Sequence, residues 1–288
     1  MATALPARPV LAFGERTHVM GVINLTPDSF SDGGRFERPE RALAQARRMV
    51  AGGADVLDLG AQSTRPGAAE VGAAAELDRL LPALRAIRAA CPEVLLSVDT
   101  FLAPVAEAAL AAGANWVNDV RGASNLRDPA MLELLAAADC PYVLMHSRGD
   151  SAAMDGLAHY GDVVAEVRDG LLVASDQAIA AGVQPDQLIW DPGLGFAKTT
   201  EQNLALLRGL TSLRAEGFPL LVGPSRKRFI GAVLDQPLPN ARLWGTAAVC
   251  AQAICAGADV LRVHDVRPIM QTARMVDAIV RVSAEGPT

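Results

Sequence analysis

The stretch AGGADVLDLG at residues 51–60 returns as AAGANWVNDV at 111–120 and as CAGADVLRVH at 255–264. Each copy begins with Ala and Gly, passes through Ala and Asp or Asn, and enters a short β-branched or apolar run. That grammar predicts a helix closed by a glycine cap, a short loop, and a strand buried on both faces. Other apolar runs fit the same strand slot: VLLSVD at 94–99, YVLM at 142–145, LIWD at 188–191 and LLVG at 220–223. Ala-rich stretches of helical length lie between them, at 39–51, 76–90, 104–112, 129–138, 162–181, 200–208, 242–256 and 268–283. Pro104 sits in the first turn of its helix, where proline is favoured. Counting from Val19 gives eight strand starts, near 19, 56, 94, 116, 142, 188, 220 and 260. Strict alternation of strand and helix implies a parallel sheet, and eight units imply a closed (β/α)8 TIM barrel of the α/β class. The expectation is one domain over 1–288, with 1–18 as an N-terminal extension or lead-in strand. No Pro- or Ser-rich linker divides the chain, and 147–162 is its least regular part.

Composition agrees with this and removes other classes. Of 288 residues 51% are hydrophobic, enough for a large core and against disorder. The aromatic content of 4% leaves few platforms for stacking bases. The net charge of −6 offers no basic face, so neither nucleic acid nor a membrane surface is an expected partner. No apolar run reaches the ~18 residues of a membrane span, and the opening residues lead to the expectation of no signal peptide. Cys91, Cys140, Cys250 and Cys255 form no CxxC and are expected to be small buried thiols of a cytoplasmic protein. GLGF at 193–196 is not a dinucleotide fingerprint, and there is no GxxxxGK[ST]. A GxSxG elbow and zinc-ligand histidine spacing are missing as well.

A barrel of this type carries its site at the C-terminal ends of the strands. The residues there are Asn24, the GAQSTRPG run after Leu59, Asp99, Asn118–Asp119, Met145–His146, Asp191, GPSRK after Val222, and Arg262 with His264. Asp99, Asp191 and Asn118 supply acceptors and an amide. Arg65, Lys227, Arg262 and His264 supply charged or chargeable donors in an acidic chain, so an anion is expected among them. Arg65 and Arg262 suit a phosphate through forked donation. A carboxylate accepting two parallel N–H bonds suits a 2-amino-4-oxo heterocycle. Taken singly, each residue has a structural role open to it. Asp99 caps a helix, Asn118 serves backbone groups, and Asp191 makes a turn. Lys227 and Arg228 form a solvated charge run, and His264 is structural. One such residue at nearly every strand end favours a site.

GVINLTPDSFSDGG (21–34), STRPGA, SVDT, VNDV, DPGLGF, GPSRK and LRVHDV occur in this order from about residue 19 to 267. Together they resemble the dihydropteroate synthase family of pterin-binding enzymes. The resemblance implies a (β/α)8 barrel that condenses 6-hydroxymethyl-7,8-dihydropterin diphosphate with 4-aminobenzoate. The products are 7,8-dihydropteroate and diphosphate, in folate biosynthesis, with Mg²⁺ as cofactor and sulfonamides as inhibitors. It implies a pterin pocket of Asp99, Asn118, Asp191 and Lys227, walled by Met145, Gly195 and Phe196. The diphosphate is expected at Asn24, Thr64, Arg65, Arg262 and His264, with Asn24 also on Mg²⁺. The aminobenzoate is expected among Phe30, Thr64, Pro66, Ser225 and Lys227, its carboxylate near Ser225 at a helix start. Asp99, Lys227, Arg262 and His264 are the catalytic candidates. The loop at 25–38, with Gly33 and Gly34 as hinge, is expected to close as a lid carrying Phe30. A homodimer, through the last helices, is implied too.

Two departures stand out: GAQSTRPG where the family commonly has GGESTRPG, and MHSRGD at 145–150 with an added Arg148. Three other functions compete. A corrinoid methyltransferase keeps the pterin pocket but needs neither the TPDSFSDGG nor the STRPG loop. A silent pterin-binding paralogue does not need the set of Arg65, Lys227, Arg262 and His264. An aldolase-type barrel wants a lysine ending a strand, and no strand here ends in lysine.

Overall fold

The computed structural model describes residues 11–26, 37–63, 70–125, 129–150 and 152–281. The chain begins with β1 (His18–Asn24), α1 (Glu37–Ala51), β2 (Val56–Gly60), α2 (Ala73–Ala90), β3 (Leu95–Asp99) and α3 (Ala103–Ala111). It continues with β4 (Trp116–Asp119), α4 (Gly122–Asn125), α5 (Pro129–Ala138), β5 (Tyr142–Met145), α6 (Val163–Ala180) and β6 (Leu188–Asp191). It closes with α7 (Thr200–Arg208), α8 (Leu210–Arg214), β7 (Leu221–Val222), α9 (Arg228–Leu234), α10 (Leu243–Cys255), β8 (Val260–Val263) and α11 (Val266–Val280).

The repeated grammar is a helix-ending joint. Gly53, Gly113 and Gly257 have φ of +95°, +105° and +92°. In each case the residue after the glycine donates back across the last turn, Ala54 to Met49, Ala114 to Ala109 and Ala258 to Ala253. The glycine itself donates to Val50, Leu110 and Ile254. That pair of bonds satisfies carbonyls the helix leaves open, and it reverses the chain into the next strand. Gly182 builds the same joint after α6, with Val183 donating to Ala178.

The strands pair in parallel in the order β6-β5-β4-β3-β2-β1-β8-β7. A parallel bridge from Trp190 to Leu220 joins the two ends and closes the barrel. All eight strands begin within a few residues of their expected starts, although β7 has only two residues of ladder. The short α4, α8 and α9 were not expected, and α11 ends at Val280 rather than 283.

The period of two splits each strand between two cores. Val19, Ile23, Leu57, Leu59, Leu96, Val98, Val117, Leu144, Trp190 and Leu261 face the helices in one large cluster. Met20, Val56, Trp116, Val143, Ile189, Leu221 and Val260 point inward and form a second. Leu11 and Phe13 pack onto that inner layer. Residues 11–17, the described part of the N-terminal extension, form a turn with no strand. His18 fastens it through its Nε2, 3.1 Å from the Ala12 carbonyl oxygen. No described helix is long and apolar enough to cross a membrane. Cys140 and Cys250 are buried as expected, but Cys91 is half-buried and Cys255 exposed.

Replacing Gly257 by Ala forces a side chain into a backbone region that L-residues avoid, and its Cβ would meet Arg214 Cγ at 3.1 Å. The expected loss is roughly 1–3 kcal/mol, read as a melting temperature lowered by several degrees. An unchanged melting temperature would show that this joint carries no strain.

Candidate active site

Two residues further along five of the inward-facing rows, the side chains turn polar. Val56 gives way to Asp58, Leu95 to Ser97 and Asp99, Trp116 to Asn118, Ile189 to Asp191, and Val260 to Arg262. Register sets Asn24, Gly60, Asp99 and Asn118 side by side across four strands. Gly60 leaves room there, since a Cβ would stand 3.3 Å from the Asp99 carboxylate.

Arg262 is the centre. Its Nε donates to Asp58 Oδ2 at 2.7 Å, and its Nη2 lies 2.6 Å from both Asp58 Oδ2 and Asp99 Oδ2. Asn118 Nδ2 donates to the same Asp58 oxygen at 3.0 Å. Burial works against the charge of Arg262, but Asp58 and Asp99 outweigh it and raise its pKa. Burial also raises the Asp99 pKa, with Arg262 pulling it down and Asp58, Glu76 and Asp119 pushing it up. The expected guanidinium fork aimed at phosphate is therefore corrected. Two of the three Arg262 nitrogens are taken by carboxylates, and Nη1 alone has no such bond among the described residues.

Asp191 ends β6. Its Oδ1 accepts from Gly193 N at 2.7 Å and its carbonyl from His146 N at 2.9 Å. Burial raises its pKa, against the Gly193 N–H, Lys227, Arg262 and Lys198. Gly223 brings β6 and β8 together: a Cβ there would touch both Arg262 Cβ and Asp191 Oδ2 at 3.8–3.9 Å. Lys227 reaches the same space, its Nζ 4.2 Å from the centre of the Phe196 ring. Burial lowers Lys227 to about 8 despite Asp191. Met145 packs with Phe101 and Val120, and Phe196 lies against them, forming an apolar wall. Asp99, Asn118, Met145, Asp191, Gly195, Phe196, Lys227 and Arg262 thus line one cup.

His264 and Ser225 form a separate pair. Ser225 Oγ accepts from His264 N at 3.1 Å and lies 2.9 Å from its Nδ1. Burial first, then Arg226 and Arg262, lower His264 to about 3. At neutral pH the ring is then uncharged, so of the two expected roles, charge or hydrogen-bond donor, the chain by itself leaves it the donor. Ser225 is not at the helix start, because Lys227 is the N-cap of α9. Between them Arg226 takes a left-handed φ of +61° and grips Asp265 with two bonds of 2.8 and 3.1 Å. Arg242 donates to the Arg226 carbonyl at 2.9 Å and the Gln236 carbonyl at 2.9 Å, fixing this loop from below. Phe30, Thr64, Arg65 and Pro66, with the hinge glycines 33 and 34, lie outside the described residues.

The two departures find physical partners. Gln62 is buried, and its side-chain oxygen accepts from Val71 N at 2.9 Å, tying the two ends of the second loop together without a charge. Arg148 lies 3.7 Å over the Tyr160 ring and donates to Glu166 at 2.7 Å, anchoring the loop after β5 to the first turn of α6.

Asp58, Phe101, Val120 and Lys198 went unrecognised in the sequence. Asp58 had a signal: it is the acidic residue at an inward position of an apolar strand. Lys198 had none, since a lysine just past DPGLGF reads as surface. Among the described residues, no cluster of three His, Cys, Asp or Glu side chains is placed to hold a metal.

Comparison with known proteins agrees with this geometry. A family model described as pterin binding enzyme matches residues 20–264. The dihydropteroate synthase of Synechocystis sp. is 50% identical over 269 residues, covering 93% of this chain and 92% of that protein. The Bacillus subtilis dihydropteroate synthase is 42% identical, covering 93% and 90%. Among solved structures, the Clostridium difficile dihydropteroate synthase with pteroic acid superposes with a TM-score of 0.89 at 39% identity, over 95% of this chain and all (100%) of that one. The Xanthomonas albilineans dihydropteroate synthase with 4-aminobenzoic acid gives 0.87 at 42%, over 93% and 95%. The chain belongs to the pterin binding enzymes, in the dihydropteroate synthase family.

Proposed function

We propose that this chain is a transferase that condenses 6-hydroxymethyl-7,8-dihydropterin diphosphate with 4-aminobenzoate, releasing diphosphate and 7,8-dihydropteroate. The observation that carries this is the cup of Asp99, Asn118, Asp191 and Lys227 around Arg262, walled by Met145 and Phe196. Its carboxylates accept the paired N–H groups of a 2-amino-4-oxo ring, and Lys227 donates to the ring's oxygen and nitrogen acceptors.

Diphosphate leaves with the electron pair of the pterin CH₂–O bond. The methylene carbon left behind is cationic and delocalised into the ring, where Asp99 and Asp191 favour it. The aminobenzoate nitrogen then forms the new C–N bond and sheds a proton. The amine becomes acidic only after attack, so no strong base is needed. The substitution is SN1-like and rests on electrostatics and positioning. Arg262 Nη1, Arg65, Thr64 and the neutral His264 N–H meet the diphosphate. Phe30, Pro66, Thr64, Ser225 and Lys227 receive the aminobenzoate.

Asn24 offers a half-exposed neutral oxygen at the end of β1. That donor suits Mg²⁺, which keeps most of its shell as water and substrate phosphate oxygens. Bound there, the ion would neutralise charge on the diphosphate. A second copy of the chain is proposed to cover the exposed Val233, Leu234, Leu238 and Trp244, which run from α9 to the start of α10.

The deciding assay mixes protein, pterin diphosphate, Mg²⁺ and 4-aminobenzoate and follows diphosphate release; no turnover by folded protein sinks the proposal. Asp191→Asn keeps the oxygen facing Gly193 but removes one acceptor, and should weaken binding of free pterin roughly 10–100-fold. Equal pterin affinity in calorimetry would rule out its role. Lys227 is charged below about pH 8 and loses its proton as pH rises through that value. The kcat/KM for pterin diphosphate should therefore fall on an alkaline limb near pH 8 rather than near 10.5. Lys227→Arg should move that limb out of range, and a limb that stays put would assign it to another group. Trp244→Glu should convert a dimer to monomer in sedimentation velocity, whereas a wild-type monomer would refute the second copy.

A further inference from the structure

Lys198 is a lysine with only 8% of its surface exposed, one residue past the loop that carries Asp191, Gly195 and Phe196. Its Nζ donates to the Gly193 carbonyl at 3.1 Å and the Phe196 carbonyl at 3.0 Å, and lies 3.2 Å from His146 Nδ1. The loop needs a brace of this kind. Gly193, Gly195 and Ala197 have φ of +67°, +78° and +47°, so the backbone kinks three times in five residues with no ladder to hold it. Asp191 and Asn203 fix two of its N–H groups, at Gly193 and Gly195, each at 2.7 Å. Its carbonyls at 193 and 196 turn the other way, onto the ammonium.

His146 completes the brace. A Cβ on Gly193 would overlap the His146 carbonyl oxygen, and one on Gly170 of α6 would meet His146 Cδ2 at 3.0 Å. His146 is thus packed between the loop and a helix, its backbone against Gly193 and its ring against Gly170. Burial, then Lys198 and Arg148, lower its pKa well below the usual value, and its Nδ1 lies within hydrogen-bond reach of the Lys198 amine. Burial lowers Lys198 itself to about 7, with Asp191 opposing and Arg148 and Lys227 adding to the fall. Tyr160 closes the remaining side, its ring centre 5.9 Å from Nζ. A buried amine is a costly filler, charged or neutral, where a methionine of similar length would pack, so its three contacts must account for its presence.

We infer that Lys198 is a positioning residue of the condensation, holding loop 192–197 from behind so that Asp191 and Phe196 keep the spacing the heterocycle requires. The inference rests on the proposed pterin cup, and its test separates the two. Wild type, Lys198→Arg, Lys198→Gln and Lys198→Met are compared for kcat, for KM of each substrate and for melting temperature. The Met variant should raise the pterin diphosphate KM about 10-fold or more while leaving the aminobenzoate KM within about twofold. Gln, which keeps two N–H donors, should fall between Met and wild type, and Arg should recover most of the affinity. A lower melting temperature with an unchanged pterin KM would overturn the positioning role and leave Lys198 merely structural. If the Met variant does not fold, the same comparison is made on Gln. Inactive wild-type protein refutes the synthase proposal; active wild type with a pterin KM unmoved in the variants refutes this inference alone.

Discussion

The ion pairing of Arg262 with Asp58 and Asp99 is the constraint on which the rest of the barrel depends. Asp58 is fully buried, and its carboxylate is met by Arg262 from a strand 204 residues away. Opposite charges at such contact are worth about 4 kcal/mol at an effective dielectric constant near 20. Removing one partner of a buried pair costs roughly 3–5 kcal/mol, because the other is left stranded. The group is therefore tolerable only when β2, β3 and β8 are all in register. An open sheet, or a strand slipped by one residue, would turn Arg262 outward and leave two carboxylates inside unpaired. Closure between β1 and β8 sets Met20 against Arg262, and thus sets the height at which the apolar floor ends.

That height fixes the site. Below it, Met20, Val56, Trp116, Val143, Ile189, Leu221 and Val260 fill the barrel with packed apolar volume. Above it, every inward position lies near a charge, and the loops follow. Gly60 and Gly195 stand where a Cβ would press on Asp99 and Lys227, and Gly223 where one would just touch the Asp191–Arg262 pair. These are places where the polar side chains need the room. Arg226 carries backbone strain beside Lys227 and is held by Asp265 and Thr246, a local cost sustained by its surroundings.

Much of this was legible in the sequence, for identifiable reasons. The helix-ending joints at Gly53, Gly113 and Gly257 depend on bonds within six residues, so local sequence specified them. Strand ends such as Asp99, Asn118 and Asp191 were visible because period two and an apolar-to-polar change mark them. Which charges meet was not visible. Asp58 and Arg262 are far apart in the chain, and only closure pairs them, so Arg262 seemed free for phosphate. The charge of His264 was not visible either, since burial beside Arg226 and Arg262 sets it. Lys198 was hidden most deeply. Nothing in a lysine after DPGLGF announces that its ammonium turns inward onto the loop it follows. The α9 helix escaped because its seven residues, Arg228–Leu234, are too few for a periodic signal.

The neutrality of His264 bears on how the proposed reaction distributes charge. Asp58, Asp99 and Asp191 set three carboxylates against Arg262 and Lys227, so the base of the cup is acidic when all are ionised. A ring that turns cationic as diphosphate departs is stabilised there, by groups already in place and without reorganisation. The departing polyanion has less waiting for it. Two Arg262 nitrogens are committed to the base, and His264 contributes an N–H but no charge. In the proposed reaction, further positive charge for the diphosphate would be supplied by Arg65 and by a cation at Asn24. The eighth strand thus supplies the floor's countercharge first, with Arg262 Nη1 as the one nitrogen of that guanidinium left, among the described residues, to face the proposed phosphate site.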